Sequence, residues 1–117
     1  MLEIDAAYDS FDVGVESFPQ FFGSLDESFG GLSLTMPLKH AIRPFLTAQC
    51  HVSVLTGSVN TVVRTPEGWH GFNTDVWGAT EAISRSLGDE FGSAIILGGG
   101  ATAASLVVTA HDLGVQQ

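Results

Sequence analysis

Apolar and polar positions change period several times along this chain, and each change marks an expected element. Phe18, Phe21, Phe22 and Leu25 stand at i, i+3, i+4 and i+7, one face of a helix, with Ser17 placed to cap its start. That spacing assigns the phenylalanines to the core. Leu32, Leu34 and Met36 alternate instead with Ser33 and Thr35, the pattern of a half-buried strand that Pro37 ends. A helix is expected from Leu38, and Pro44 should end or kink it within two turns. Upstream, residues 7–15, "AYDSFDVGV", read as a short strand.

Further along, "SVNTVVRTPEGWHGFNTD" predicts two short strands around a Pro-Glu-Gly turn. From Asp75, the residues Val76, Ala79 or Thr80, Ile83 and Leu87 fall on one helical face, and Gly88 stops that helix. Thr74 or Asp75 would cap its first turn, where the helix dipole also favours a carboxylate. "SAIIL", residues 93–97, reads as a buried strand, and "GGGATAASLVVTAHDLG" as a glycine turn opening a helix that Gly114 closes. Strands alternating with helices, without an internal repeat, predict an α/β protein with mostly parallel pairing.

Composition narrows the partners. A length of 117 residues suits one small domain with a real core, or pieces of two larger ones. A hydrophobic fraction of 44% and a positive mean hydropathy argue for an ordered globular chain. Lys39, Arg43, Arg64 and Arg85 are the only basic side chains against 13 acidic ones, a net charge of −9. No basic surface is therefore available to a nucleic acid. No apolar run approaches the roughly 20 residues of a membrane span, and the acidic opening does not suit a signal peptide. Neither nucleic acid nor membrane is an expected partner. Cys50 stands alone, which excludes an internal disulfide, fits a reducing cytoplasm and reads as a plain buried or half-buried thiol.

Two constellations carry chemistry. Gly98, Gly100 and Ala103 fit G-x-G-x-x-G/A directly after a strand and at the mouth of a helix. The first glycine permits a tight turn, the second lets a pyrophosphate approach the backbone, and the helix N-terminus offers amide donors to the anion. The second constellation is polar: Thr35, Lys39, Asn60, Asn73, Thr74 and Asp75. Asn, Thr and Asp at strand ends commonly satisfy local turn and helix-start amides, and a lone lysine is ordinarily a solvated surface charge. Taken together, Lys39 and Asp75 would supply a proton donor and a partner that orients it. The four histidines, His40, His51, His70 and His111, show no metal-ligand spacing, so no metal is expected.

In order and spacing, "TMPLK", "GSVNT", "GFNTDVWG" and "LGGGATA" resemble the motifs of the shikimate dehydrogenase family. That family carries T-x-P-x-K, G-A-V-N-T, N-T-D and G-x-G-G-A segments. The resemblance covers the chain from about Tyr8 to Val115. It implies reversible, NADP-dependent reduction of 3-dehydroshikimate to shikimate, in chorismate and aromatic amino acid biosynthesis, with NAD or quinate as variants. It implies that Lys39 and Asp75 are the catalytic pair. Thr35, Lys39, Asn60, Asp75 and Ser33 would bind substrate, and Gly98, Gly99, Gly100, Ala101 and Thr102 would receive the cofactor. Ser33 stands where an asparagine is common, Ala101 where a glycine is usual, and Ala104 where an arginine is common.

The implied organisation is an N-terminally incomplete, parallel-sheet substrate-binding domain over 1–74 and a connecting helix over 75–92. The first βα unit of a Rossmann-type NAD(P)-binding domain would follow over 93–117. A paired-serine motif that grips the substrate carboxylate should precede residue 1, and the ribose-reading loop should follow residue 117. Self-association, or a complementary chain, is the expected recourse for such a slice, and a non-catalytic remnant that binds a small polyol acid is the reading from another class. The 117 residues alone are expected not to turn over shikimate, because "SAIIL" has no second strand to pair with. A cofactor-reduction assay with NADP and then NAD checks this: turnover above that of a Lys39→Ala control refutes it.

Overall fold

The computed structural model describes residues 5–88 and 92–115. In chain order the elements are α1 (Phe18–Gly23), β1 (Gly31–Ser33), α2 (Leu38–Ala41) and a 3-10 turn over Arg43–Phe45. These are followed by β2 (Ala48–Gln49), α3 (His51–Thr56), β3 (Thr61–Thr65), β4 (Gly68–Phe72), α4 (Asp75–Leu87) and α5 (Ala101–Asp112). Four strands form one sheet in the order β1-β3-β4-β2.

The α/β class holds, but the expected parallel pairing does not. β1 and β4 both run antiparallel to β3, and only β2 lies parallel to β4. The cause is the turn. Thr65 pairs with Gly68, leaving Pro66 and Glu67 as a two-residue loop, and so short a link can only reverse the chain. Gly68 closes the turn at φ +126°, where a Cβ would collide with the Thr47 hydroxyl.

Other expectations shift at the element ends. Residues 7–15 form no strand; Phe11 rests on Phe21 and Phe29 instead, with ring centroids 5.2 and 6.2 Å away. Aromatic contacts there take the place of a ladder. α1 starts where the spacing put it, yet Ser17 makes no side-chain cap: it is already helical (φ −85°, ψ −12°), and its hydroxyl donates to the Gly14 carbonyl at 3.2 Å. α1 stops at Gly23, so Leu25 lies beyond it. β1 is shorter than the alternation implied, which leaves Met36 exposed beyond its end. Residues 93–97 also form no strand, with Ile95 and Leu97 89% and 93% exposed. An apolar run supplies the side chains of a buried strand but not its neighbour, and among the described residues nothing hydrogen-bonds to it.

The core sits between α1, α2 and the sheet. Phe18, Ile42, Val59 and Val62 are buried at its centre. Phe22 packs on Phe18, Phe45 and Trp69 with centroids 5.7, 5.1 and 5.5 Å apart. Arg64 lies 4.2 Å over the Trp69 ring and donates to the carbonyls of Phe29, Leu25 and Asp26, fastening the loop after α1 to the sheet. α5 packs against α4 and touches α3. Among the described residues no helix is long and apolar enough to cross a membrane. Because Phe18 is fully enclosed, Phe18→Ala should cost about 3–5 kcal/mol of unfolding free energy. Phe11→Ala, at an exposed ring, should cost clearly less; urea denaturation monitored by tryptophan fluorescence compares the two.

Candidate active site

Strand register gathers the polar residues at one end of the sheet. Thr61 pairs with Phe72, so Asn60, one residue before β3, stands beside Asn73, one residue after β4. Ser33 pairs with Thr61, which carries Leu34 and Thr35 to the same end, and the Leu34 amide donates to the Asn60 carbonyl at 2.7 Å. The Val59 amide donates to the Lys39 carbonyl at 2.8 Å and fixes α2 over this edge.

The result is a cluster centred on Asp75. Lys39 Nζ donates to Asp75 Oδ2 at 2.7 Å, and Asn60 Nδ2 donates to Asp75 Oδ1, also at 2.7 Å. Both carboxylate oxygens thus accept short bonds, one of them from a full charge. Asn60 Oδ1 in turn accepts from the Thr74 amide and the Thr61 hydroxyl, each at 3.0 Å. The side chains of Lys39 and Asp75 are 13% and 25% exposed, so the pair is shielded yet open on one side.

Neither Thr74, which holds the N-cap position, nor Asp75 makes the side-chain cap of α4 that the sequence suggested. Asn73 does: its Oδ1 accepts from the amides of Asp75 at 2.9 Å and Val76 at 3.4 Å. Asp75 is thereby released from local capping, and its carboxylate is available to Lys39. The signal was present in the sequence as an Asn two residues before the helix start, but Thr74 and Asp75 fit the pattern equally well.

Lys39 also faces a cavity of about 540 Å³. One wall carries Thr35, Met36, Pro37, Lys39 and His40; the other carries Ile95 to Gly98 and the start of α5, from Gly100 to Ala103, with Leu106. Thr35, Gly98, Gly100, Ala101 and Thr102 therefore share one space with Lys39. Asn60, Asp75, Ser33 and Gly99 do not line it. His40, considered from the sequence only for metal-ligand spacing, also lines the cavity, and its Nδ1 donates to the Gly57 carbonyl at 2.7 Å.

At the far wall the backbone is bare. Gly98 turns at φ +123° with open space where a Cβ would be, and Gly100 leads into α5 without a side-chain cap. Among the described residues, the amides of Ala101, Thr102 and Ala103 make no hydrogen bond. Those donors are free for an anion. Among the described residues no group of three or more His, Cys, Asp or Glu side chains is placed to hold a metal ion.

Residues 1–62 match the family model of the shikimate dehydrogenase substrate binding domain. The chain belongs to the shikimate dehydrogenase family. It is 37% identical to the NADP(+) shikimate dehydrogenase of Gloeothece citriformis, a match covering 99% of this chain and 41% of that protein. Its fold matches the crystal structure of shikimate dehydrogenase 1 from Peptoclostridium difficile with a TM-score of 0.89 at 26% identity, covering 97% of this chain and 43% of that one. The shikimate 5-dehydrogenase of Thermus thermophilus, solved in complex with NADP(H) and shikimate, matches with a TM-score of 0.82 at 29% identity, covering 91% and 41%. The chain spans about two fifths of the length of these family members.

Cys50 sits just behind this edge as the N-cap of α3, with Ser53 Oγ 3.2 Å from its sulfur. Burial pushes its thiol up, but hydrogen bonds from the Ser53 hydroxyl and from the amides of Asn73, Ser53 and Val52 outweigh it, so Cys50 titrates below the ordinary thiol value. Alkylation of the folded chain should therefore rise at lower pH than in the urea-unfolded chain. Ser53→Ala should move that profile back up; coincident folded and unfolded profiles would contradict this.

Proposed function

We propose that this chain provides the shikimate-binding edge and the acid–base pair of a cytoplasmic, NADP-dependent dehydrogenase that interconverts 3-dehydroshikimate and shikimate. The observation that carries this reading is the Lys39–Asp75 contact of 2.7 Å, with Lys39 opening onto a cavity whose opposite wall is the glycine turn. Residues 1–74 would form the substrate-binding unit, α4 (Asp75–Leu87) the connecting helix and 93–117 the start of the cofactor unit. Support for the substrate and cofactor comes from the relatives named for NADP(+) and from the Thermus complex holding NADP(H) and shikimate.

The far wall suits a dinucleotide: unspent first-turn amides of α5 and glycines without Cβ atoms offer a pyrophosphate both donors and room. Gly98, Gly100, Ala101 and Thr102 would hold it, and NADP bound there supplies hydride-transfer chemistry. The protein's share is the proton and the geometry. Lys39 Nζ donates a proton to the carbonyl oxygen of 3-dehydroshikimate as that oxygen gains charge, and takes the hydroxyl proton back in the reverse direction. Asp75 fixes the ammonium through Oδ2 while Asn60 holds Oδ1, so the donor arrives oriented rather than free to rotate. The Thr35 hydroxyl, exposed beside Lys39 on the cavity wall, is placed to bind a substrate hydroxyl. Ser33 has less support, since it lies outside the cavity lining. The bare apolar residues Ile95 and Leu97 favour a second reading, in which this segment pairs with a complementary chain.

The test replaces the matching stretch of the Gloeothece citriformis enzyme with residues 1–117, keeps that enzyme's own segments on both sides, and assays NADP reduction with shikimate. The chimera should be active, and Lys39→Ala should lower kcat by about 10²–10⁴-fold while changing shikimate binding far less. Asp75→Asn should lower activity steeply with little change in melting temperature, because Asn73 rather than Asp75 caps α4. An inactive chimera, or a Lys39→Ala variant keeping more than about a tenth of kcat, overturns the reading.

A further inference from the structure

Asn73 is 7% exposed, and its amide is bonded at every position. Oδ1 accepts from the Asp75 and Val76 amides, while Nδ2 donates to Thr56 Oγ1 on α3 and to Ser105 Oγ on α5, each at 3.0 Å. The assignment of the amide follows from its partners, because two backbone N–H groups require an oxygen. Ser105 is 1% exposed and passes its own proton to the Ala101 carbonyl at 3.3 Å, in the first turn of α5. An unbroken path of bonds thus runs from the backbone of Asp75, through Asn73 and Ser105, to the residue that follows the glycine turn. None of its side chains lines the cavity.

We propose that Asn73 is a positioning residue: its amide is the joint that holds the Asp75 carboxylate, and through it Lys39, in register with the first turn of α5. This deepens the function proposed above and rests on it, since it assigns the joint to the same reaction. A carboxylate that must orient a proton donor loses effectiveness with small displacements. Asp75 is the first residue of its helix, so its backbone has no preceding turn to hold it. Asn73 replaces that turn, and its other end is tied to the helix whose N-terminus faces Lys39 across the cavity. A shift of α5 therefore reaches the acid–base pair as a shift of the Asp75 backbone.

A second buried bond gives an internal control. Thr109 Oγ1 donates to the Val76 carbonyl at 3.2 Å, tying α5 to α4 without touching Asn73. The experiment compares Ser105→Ala and Thr109→Val by amide hydrogen exchange in the purified chain and by calorimetric titration with shikimate in the chimera described above. Each variant deletes one buried hydroxyl, and both should lower the protection of α5 by a similar factor, about 3- to 10-fold. Only Ser105→Ala should also lower protection of the Asp75 and Val76 amides about threefold or more and weaken shikimate binding by a similar factor. Asn73→Ala should do both more strongly; because it can fail to fold, the decision rests on the two α5 variants. Equal effects of Ser105→Ala and Thr109→Val on the Asp75 and Val76 amides, or none, overturn the joint. Absence of shikimate binding by the unmutated chimera counts instead against the proposed function, while the exchange comparison still decides whether the joint exists.

Discussion

Everything at the polar edge depends on the register of the β3–β4 hairpin. With Thr65 opposite Gly68, the ladder ends at Thr61 opposite Phe72, and Asn60 and Asn73 come out side by side. A slip of one residue would turn Val62 out of the core and carry Asn60 away from Asp75. Burial guards against that slip: Val62 and Gly71 sit on the covered face, and the core fits around them. Packing energy spent on the apolar face is therefore what fixes polar geometry at the sheet's end.

The chain's charge gives this geometry its chemical meaning. A protein of net charge −9 gives its single lysine one carboxylate partner at 2.7 Å, itself held from the other side by Asn60, and leaves the remaining ammonium donors for a substrate. Partial burial strengthens such bonds and holds the pair in one geometry. Asn60 and Asn73 have complementary tasks. Asn60 fixes the Asp75 carboxylate and the Thr74 amide, while Asn73 fixes the Asp75 backbone and binds it to α3 and α5. The acid–base pair thereby inherits its position from four helices and two strands.

Where the sequence misled, the missing term was a neighbour. "SAIIL" has the composition of a buried strand, and "AYDSFDVGV" has strand-like aromatics, yet strand character is completed only by a hydrogen-bonded partner. Residues 93–97 have none among the described residues, and residues 7–15 settle for aromatic contacts with Phe21 and Phe29. The parallel sheet failed for a related reason: helix–strand alternation suggested crossovers, but the shortest connection, Pro66–Glu67, reverses the chain.

The sequence by itself determined where several local elements begin and end. Phe18 at the head of a helical stripe, Pro37 before α2, the Pro-Glu-Gly turn, Gly88 after α4 and Gly114 after α5 all act within a few residues, and each stands in the structure where the pattern places it. The order of its four motifs also carried the family. Tertiary structure alone decided that Lys39 and Asp75, 36 positions apart, touch. It also decided that Asn73 rather than Thr74 or Asp75 caps α4, and that Thr35 and the glycine turn share one cavity. Contact between distant residues depends on strand register and on which face each helix buries, and those follow from the packing of the whole core rather than from any one segment.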